Sequence, residues 1–239
     1  MKREAHIMLY RIADLTVDFS DEGNVAPLCK PYQISEDLPP DIKVCGSFYD
    51  PSRFPGLDPK DIPYMITGEQ FYYQLLRFNG MLLHASAVAY NGRAYLFSGP
   101  CGTGKSTHTK LWQKHFGADA VVFNDDKPAL RLIDGVWYAY GTPWCGSSYI
   151  NVNMRVPIAG ICFLVQSNHN EIRRLSNTEA VKRIFMQTMF RLDPRSMDAM
   201  LATMDALVRQ VPVFEMENRP EEAAAVLSYE TMTNYVGGE

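Results

Sequence analysis

Residues 99–106 read Gly99-Pro100-Cys101-Gly102-Thr103-Gly104-Lys105-Ser106, which matches the phosphate-binding loop pattern GxxxxGK[ST]. The apolar run at 94–98 predicts a buried strand before the loop, and residues 105–115 predict a helix after it. In that order, a glycine-rich turn and a helix N-terminus present backbone N–H groups and a partial positive charge to an anion. The sequence therefore predicts a site for the phosphates of a nucleoside triphosphate; the alternative is a chance match in a glycine-rich turn.

The individual residues of the loop have different expected tasks. Lys105 is expected to reach the outer phosphates, and the Ser106 hydroxyl is placed for Mg²⁺. ATP and Mg²⁺ are accordingly the expected cofactors. The residues expected to contact the nucleotide are Gly99, Pro100, Cys101, Gly102, Thr103, Gly104, Lys105, Ser106 and Thr107.

An acidic pair, Asp125 and Asp126, follows a second apolar run at 120–123, about 20 residues after Lys105. Open α/β sheets bind ligands at the carboxyl ends of their strands. One carboxylate is expected to hold Mg²⁺, and the other to accept the proton of a hydroxyl acceptor. Adjacent carboxylates repel, which raises one pKa unless a metal or Lys105 offsets the repulsion. A solvated turn is the alternative interpretation.

His84 is predicted to lie on the strand that pairs beside the strand of the phosphate loop. The turn Asn91-Gly92 is a strong hairpin signal between residues 81–89 and 93–98. An antiparallel neighbour at this place is unusual in sheets built from parallel strands and helical crossovers. The hairpin can bring His84 near the phosphates, although a buried structural histidine is the alternative.

Three further features have open interpretations. Residues 142–148 either line an acceptor pocket or form a packed turn. Arg155 is a candidate for neutralising transition-state charge. His108, one helical turn after Lys105, is expected to be a surface or packing residue.

The rest of the chain predicts a mixed α/β fold in a single domain, 1–239. Residues 1–78 predict a β-rich N-terminal layer, with extended segments at 6–12 and 15–19 and a helix at 67–78 capped by Thr67. Residues 79–239 predict the nucleotide-binding core. Its further elements are a hairpin at 129–133 and 136–140, strands at 158–165 and 213–216, and helices at 178–190, 194–209 and 220–235.

Composition excludes several classes of function. The chain has 239 residues, 46% of them hydrophobic, and a formal net charge of −4 with no basic run. We therefore expect a sizeable core and no nucleic-acid surface. No apolar stretch reaches membrane-spanning length, and the first residues do not form a signal peptide pattern. Five cysteines without a CxxC pair indicate reduced thiols, so the expected location is cytoplasmic.

Four parts of the sequence together resemble a known nucleotide-binding core. They are His84-Ala85-Ser86-Ala87, Asn91-Gly92, the phosphate loop and Asn124-Asp125-Asp126. The core is the one shared by HPr kinase/phosphorylase and phosphoenolpyruvate carboxykinase, and the resemblance covers residues 82–130. The chain is more similar still to small HPr-kinase-like proteins of bacterial genomes, some of which are associated with modified-peptide clusters.

This resemblance implies a P-loop core built on a mixed sheet, and a role for each matching residue. Lys105 would hold the β- and γ-phosphates, Ser106 would bind Mg²⁺, and Asp125 would be the catalytic base. Asp126 would help to hold the metal, and His84 would sit beside the γ-phosphate or a metal. Asp125, His84 and Lys105 are thus the expected catalytic residues, and Ser106, Asp125 and Asp126 the expected metal ligands.

The function predicted on this basis is an ATP- and Mg²⁺-dependent phosphotransferase. Its acceptor would be a hydroxyl, such as serine of a peptide or small protein. The alternatives are a small-molecule kinase or phosphorylase of the same superfamily, and a nucleotide sensor without turnover. The resemblance leaves a homo-oligomer open, and neither nucleic acid nor membrane is an expected partner.

Overall fold

The structure, a computed structural model, describes residues 8–19, 25–36, 38–47, 50, 52, 54–188 and 192–234. Its N-terminal part contains a four-stranded sheet with the strand order β3-β1-β2-β4. The strands are β1 (Met8–Ile12), β2 (Leu15–Phe19), β3 (Gln33–Ile34) and β4 (Ile42–Val44), with the short helix α1 (Ala26–Cys29) between β2 and β3. This sheet lies in the part of the chain for which the sequence predicts a β-rich layer.

Helix α2 (Ile62–Leu75) covers the N-terminal sheet and begins five residues before the predicted start at residue 67. Pro63 explains the earlier start, because proline suits the first turn of a helix. Thr67 is therefore inside the helix and not its cap: its hydroxyl donates to the Pro63 carbonyl at 2.7 Å.

The main sheet has nine strands and mixed direction. A path β5-β9-β10-β11-β7-β6-β8 runs through it, β13 pairs in parallel with β11, and β12 pairs with β13. Its strands are β5 (Gly80–Leu82), β6 (Ala85–Tyr90), β7 (Arg93–Ser98), β8 (Val121–Asp126), β9 (Ala129–Ile133), β10 (Val136–Tyr140), β11 (Arg155–Gln166), β12 (Glu171–Arg174) and β13 (Val213–Asn218).

The hairpin β6–β7 turns at Asn91-Gly92 as predicted, and Ala85 pairs with Ser98 at its open end. Both β7 and β8 pair with β6 in antiparallel fashion, so these two strands run in the same direction. The carboxyl ends of β7 and β8 and the start of β6 consequently meet at one edge of the sheet. This edge positions the candidate site.

Helices cover both faces of the main sheet. Helices α3 (Lys105–Phe116) and α6 (Glu222–Thr233) pack on one face, around Trp112 and Phe97. Helices α4 (Asn177–Phe185) and α5 (Pro194–Gln210) pack on the other, around Ile184 and Met204. Strand residues alternate between the two cores, as the period of a strand requires.

Several predicted boundaries differ from those observed. Residues 81–82 belong to the separate strand β5, which pairs with β9, so the hairpin strand begins only at Ala85. Helix α4 ends at Phe185, and residues 189–190 of the predicted helix lie outside the described residues. The sequence prediction did not include β12, β3, β4 or α1.

Two sequence-based expectations concern membrane-spanning segments and the state of the cysteines. Every helix within the described ranges is either too short or too polar to span a bilayer. The five cysteines all lie in the described part of the chain, and none of them forms a disulfide bond.

Candidate active site

Residues 99–104 form the turn that joins the end of β7 to the N-terminus of α3. Gly102 and Gly104 have φ angles of +83° and +95°, which favour glycine and explain the spacing of these residues in the motif. The helix begins at Lys105, so its first N–H groups face the edge of the sheet where β7 ends. A glycine-containing turn followed by a helix N-terminus is a geometry in which proteins can bind anions.

Lys105 folds back over this turn. Its Nζ donates to the carbonyl oxygens of Gly99 at 2.9 Å and Pro100 at 3.1 Å. Burial lowers the pKa of Lys105 from its ordinary value, while the charges of Asp126 and Asp125 oppose that shift. The ammonium group therefore lies at the floor of the turn, within the field of both carboxylates.

Ser106 and Asp125 contact each other directly: the Ser106 hydroxyl donates to Asp125 Oδ1 at 2.9 Å. Asp125 is buried, and its backbone N–H donates to the Ile150 carbonyl at 3.2 Å. The loop serine and the first aspartate of the pair thus form a compact set of oxygen ligands beside the helix N-terminus.

Asp126 has a different environment, because nitrogen atoms of two side chains contact it. Its Oδ1 lies 3.2 Å from His84 Nε2, and its Oδ2 contacts the Lys127 ammonium. Burial raises the pKa of Asp126, but the hydrogen bond from His84 and the charge of Lys127 outweigh it, so the net pKa is lowered. The charge of Lys127 and a hydrogen bond from His84 therefore stabilise the Asp126 carboxylate, whereas a metal or Lys105 was expected from the sequence.

His84 lies just before β6 and not within the strand, which corrects its predicted placement. A segment distant in sequence holds it in place. The His84 N–H donates to the Gln187 carbonyl at 2.8 Å, and His84 Nδ1 lies 3.0 Å from Gln187 Oε1. The Ser98 hydroxyl donates to the His84 carbonyl at 2.8 Å. These contacts turn the other ring nitrogen towards Asp126.

The segment 142–148 divides into a packed part and an exposed part, and the packed-turn interpretation describes the first of them. Thr142 and Trp144 are buried, and the indole of Trp144 stacks on Phe71 with ring centroids 4.8 Å apart. Gly146 donates its backbone N–H to the Tyr64 hydroxyl at 2.8 Å. Residues 146–148 then form one wall of a cleft.

This cleft has a volume of about 640 Å³ and joins the features described above. Its lining residues are His84, Cys101, Gly102, Gly104, Lys105, Ser106, Thr107, Lys110, Asp125, Asp126, Gly146, Ser147 and Ser148. Among the expected nucleotide-contacting residues, Gly99, Pro100 and Thr103 do not line it. Gly99 and Pro100 hold Lys105 through their carbonyls instead, and Thr103 donates to the Pro100 carbonyl at 2.9 Å.

The donors in the cleft fit a magnesium ion bound together with phosphates. Ser106 and Asp125 offer a hydroxyl and a carboxylate, which are hard oxygen ligands of the kind that Mg²⁺ prefers. Within the described residues, no group of three or more His, Cys, Asp and Glu side chains could hold a metal alone. Mg²⁺ usually keeps several waters and shares phosphate oxygens, so such a small protein ligand set suits it.

Two other candidates lie away from the cleft. Arg155 Nη1 pairs with Asp14 at 2.9 Å, and its guanidinium lies over the Tyr138 ring, so its role as a transition-state cation is not supported. His108 is fully buried, with its ring nitrogens 3.1 Å from Asn218 Oδ1 and 3.0 Å from Ser228 Oγ. It is a packing residue, one of the two readings given above.

Sequence reasoning missed three residues around the cleft. Lys110 lies one turn after Ser106 on the same face of α3, and this spacing could have identified it. Lys127 directly follows the acidic pair, so a basic neighbour was visible in the sequence. No local pattern pointed to Gln187, because it reaches His84 across 103 positions of the chain.

Comparison with known proteins gives a family for this site and fold. The sequence model of the family described as SynChlorMet cassette protein ScmC matches residues 64–218, a stretch that includes the whole cleft. The chain belongs to this ScmC family. No curated protein matches the sequence.

Solved structures give a more distant likeness to this ScmC-family chain. One is the Hpr(Ser) kinase/phosphatase from Coxiella burnetii, with 10% sequence identity and a TM-score of 0.37. The match covers 63% of this chain and 93% of that one. Similarity of this size is limited to the fold, and neither a residue role nor an activity follows from it.

Proposed function

We propose that this chain is an ATP- and Mg²⁺-dependent phosphotransferase that passes the γ-phosphoryl group to a hydroxyl acceptor. The observation that carries the proposal is one cleft in which a helix N-terminus, Lys105, Ser106, two carboxylates and His84 converge. Phosphoryl transfer requires these parts: anion-binding N–H groups, a cation, oxygen ligands for a metal, and a proton acceptor.

Each part has a task in this proposal. The turn 99–104 and the first N–H groups of α3 bind the phosphates. Lys105 exchanges its two carbonyl partners for phosphate oxygens, and Lys110 adds positive charge at the rim. Ser106 and Asp125 would hold a Mg²⁺ ion, which would neutralise phosphate charge. The wall formed by residues 146–148 leaves room for the acceptor beside Asp126.

Nucleotide binding is the first test of this proposal. Lys105→Ala should weaken ATP affinity about 10- to 100-fold, because a charge-assisted hydrogen bond to phosphate contributes about 1.5–3 kcal/mol. Lys114→Ala is the matched control: it lies on the same helix, pairs with Glu222 outside the cleft, and should leave affinity unchanged. Calorimetric titration with Mg²⁺-ATP measures both. Equal affinities for Lys105→Ala and the wild type would overturn the assignment of the loop.

Transfer is tested with γ-labelled ATP, Mg²⁺ and a serine-peptide library. Label in a peptide, absent with Lys105→Ala, supports a kinase that acts on peptides. Label in a small hydroxyl compound instead supports small-molecule phosphoryl transfer. Tight ATP binding without loss of the γ-phosphate under any condition contradicts the proposed activity and favours a nucleotide sensor.

A further inference from the structure

The two neighbouring carboxylates at the end of β8 lie on opposite faces of the main sheet. Asp125 pairs with Ser86, and both side chains reach α3: Ser86 Oγ lies 2.8 Å from Thr109 Oγ1, and Ser106 donates to Asp125. Asp126 pairs with Ala85, which belongs to the core on the other face. Directly opposed residues of paired strands share a face, so the contacts agree with the register.

A bulge in β8 decides which aspartate faces the phosphate loop. Val122 pairs with Val88 and Asn124 pairs with Ala87, so Phe123 is an extra residue in this strand. Val122 faces the α3 side, and simple alternation from it would place Asp126 on that side. The extra residue reverses this alternation, so Asp125 faces α3 and Asp126 faces the other side of the sheet. Bulges are frequent beside active sites, where they redirect side chains.

We propose that Asp125 is the metal-side carboxylate and that Asp126 is the proton acceptor of the phosphoryl transfer. This assignment rests on the proposed function and exchanges the roles that the family resemblance implies for the two residues.

The contacts of each carboxylate support this assignment. Asp125 is buried against the Ser106 hydroxyl at the N-terminus of α3, with no cationic side chain in contact with it among the described residues. Both oxygens of Asp126 face nitrogen atoms, of His84 and of Lys127, and the Lys127 ammonium lies 5.2 Å from the centre of the Tyr64 ring. A divalent cation at Asp126 would have to displace Lys127, which costs electrostatic energy.

Asp126 also lies on the side where an acceptor can enter. A Cβ on Gly146 would come within 3.3 Å of Asp126 Oδ2, so this carboxylate borders the wall of residues 146–148. Its side chain is 22% exposed. In the transfer, the acceptor oxygen bonds to the γ-phosphorus while the bond from that phosphorus to the β–γ bridging oxygen breaks. The electron pair leaves with the nucleoside diphosphate, and the acceptor proton passes to Asp126.

Gln187 is a positioning residue in this scheme. It contacts neither carboxylate, but it holds the backbone and Nδ1 of His84 so that Nε2 faces Asp126. Gln187→Leu should lower kcat for transfer with an unchanged KM for ATP. Gln187→Glu, which keeps an oxygen atom opposite Nδ1, should restore most of the rate. A purely structural role would instead lower thermal stability equally in both variants.

Metal binding tests the first half of the assignment without requiring activity. Asp125→Asn and Asp126→Asn are isosteric variants at adjacent positions, and Asp134→Asn in the β9–β10 turn is the control. Free Mn²⁺ is measured by electron paramagnetic resonance during titration with a non-hydrolysable ATP analogue. We expect Asp125→Asn to weaken Mn²⁺ binding about tenfold or more, and Asp126→Asn and Asp134→Asn to change it less than about threefold.

Transfer from γ-labelled ATP to the peptide acceptor tests the second half. Asp126→Asn should lower the single-turnover rate about 10²-fold or more while it binds Mn²⁺ and nucleotide normally. Loss of Mn²⁺ binding in Asp126→Asn, with normal binding in Asp125→Asn, would overturn the assignment. If the wild type transfers nothing, the proposed function fails, and the Mn²⁺ titrations alone then decide which carboxylate holds the metal.

Discussion

At the scale of single residues, Asp126 has an unusual backbone. Its φ angle is +148°, in a region that residues other than glycine rarely adopt. The neighbouring groups favour this conformation, since His84 and Lys127 contact the carboxylate and a Cβ on Gly146 would lie 3.0 Å from the Asp126 Cβ. Strain of this kind costs on the order of 1–3 kcal/mol and is concentrated at functional sites.

The strain can be measured by comparing Asp126→Gly with Asp126→Ala. Both variants lose the carboxylate, but only glycine adopts φ = +148° freely, so Asp126→Gly should be more stable by about 1 kcal/mol. The free energy of unfolding in urea gives this difference. At Asp205, within helix α5, the same pair of substitutions should show the ordinary order, with alanine more stable by about 1 kcal/mol. If Asp126→Ala were instead more stable than Asp126→Gly, the result would contradict backbone strain at this position.

The residue types in the sequence identified much of the candidate site, but they did not show which side chains contact each other. The loop motif, the acidic pair and His84 were all predicted from local patterns, and most of these residues line one cleft. The interaction of His84 with Gln187 could not be predicted, because it depends on how the segment after α4 returns to the sheet edge. The roles of the metal ligands and of the proton acceptor remain predictions.

At the scale of elements, close backbone packing at the end of β10 positions the segment that leads to the cleft wall, residues 146–148. Gly141 follows β10 and donates its backbone N–H to the Met154 carbonyl at 3.1 Å. A Cβ at this position would lie 1.9 Å from the Val152 carbonyl oxygen and 2.9 Å from the Phe123 carbonyl oxygen. Val152 in turn donates to Phe123 at 2.8 Å. Only a glycine permits this approach of three backbone segments.

Gly141→Ala should therefore lower the free energy of unfolding by about 2 kcal/mol or more, because backbone atoms must move apart. The displaced segment leads directly into residues 142–148, so ATP affinity should decrease as well. Urea unfolding and calorimetric titration measure the two effects. Gly135→Asn is the control, since its φ of +80° suits asparagine and open space surrounds it. If Gly141→Ala had the same free energy of unfolding as the wild type, the three backbone segments would not be as closely packed as described.

Secondary structure was predicted best where a local signal is strong. Helices α3 and α5 and the β9–β10 hairpin were predicted at nearly their observed bounds, and the turn of the β6–β7 hairpin was predicted correctly. The start of α2 and the split between β5 and β6 were missed. Both depend on tertiary packing: α2 lies against the N-terminal sheet, and β5 pairs with β9 rather than with the hairpin.

At the scale of the whole molecule, His108 connects three elements of the fold. It extends from α3 to Asn218 at the end of β13 and to Ser228 on α6. Burial lowers its pKa to about 4 from an ordinary value of 6.5, with the hydrogen bond to Asn218 acting in the opposite direction. Between these two pH values the unfolded chain binds a proton that the folded protein does not.

Stability from this residue is therefore present above pH 6.5 and is lost as the pH falls towards 4. The loss should reach about 3 kcal/mol at pH 4, an order-of-magnitude value from a shift of about 2.5 pH units. His108→Gln should remove this part of the pH dependence of unfolding in urea, whereas His169→Gln, at an exposed position, should keep it. Identical pH profiles for the wild type and His108→Gln would contradict the buried neutral state.

The sequence by itself determined the elements that local chemistry specifies: a strand, a glycine turn and a helix at 94–115, the hairpin turns, and the residue types expected to bind phosphate and metal. The glycine spacing and apolar periodicity require no distant partner. Only the tertiary structure decided which groups meet. The bulge at Phe123 sends Asp125 towards Ser106 and Asp126 towards His84, because one extra residue reverses the alternation of a strand. Pairing with β6 sets that register, and no pattern local to β8 encodes it.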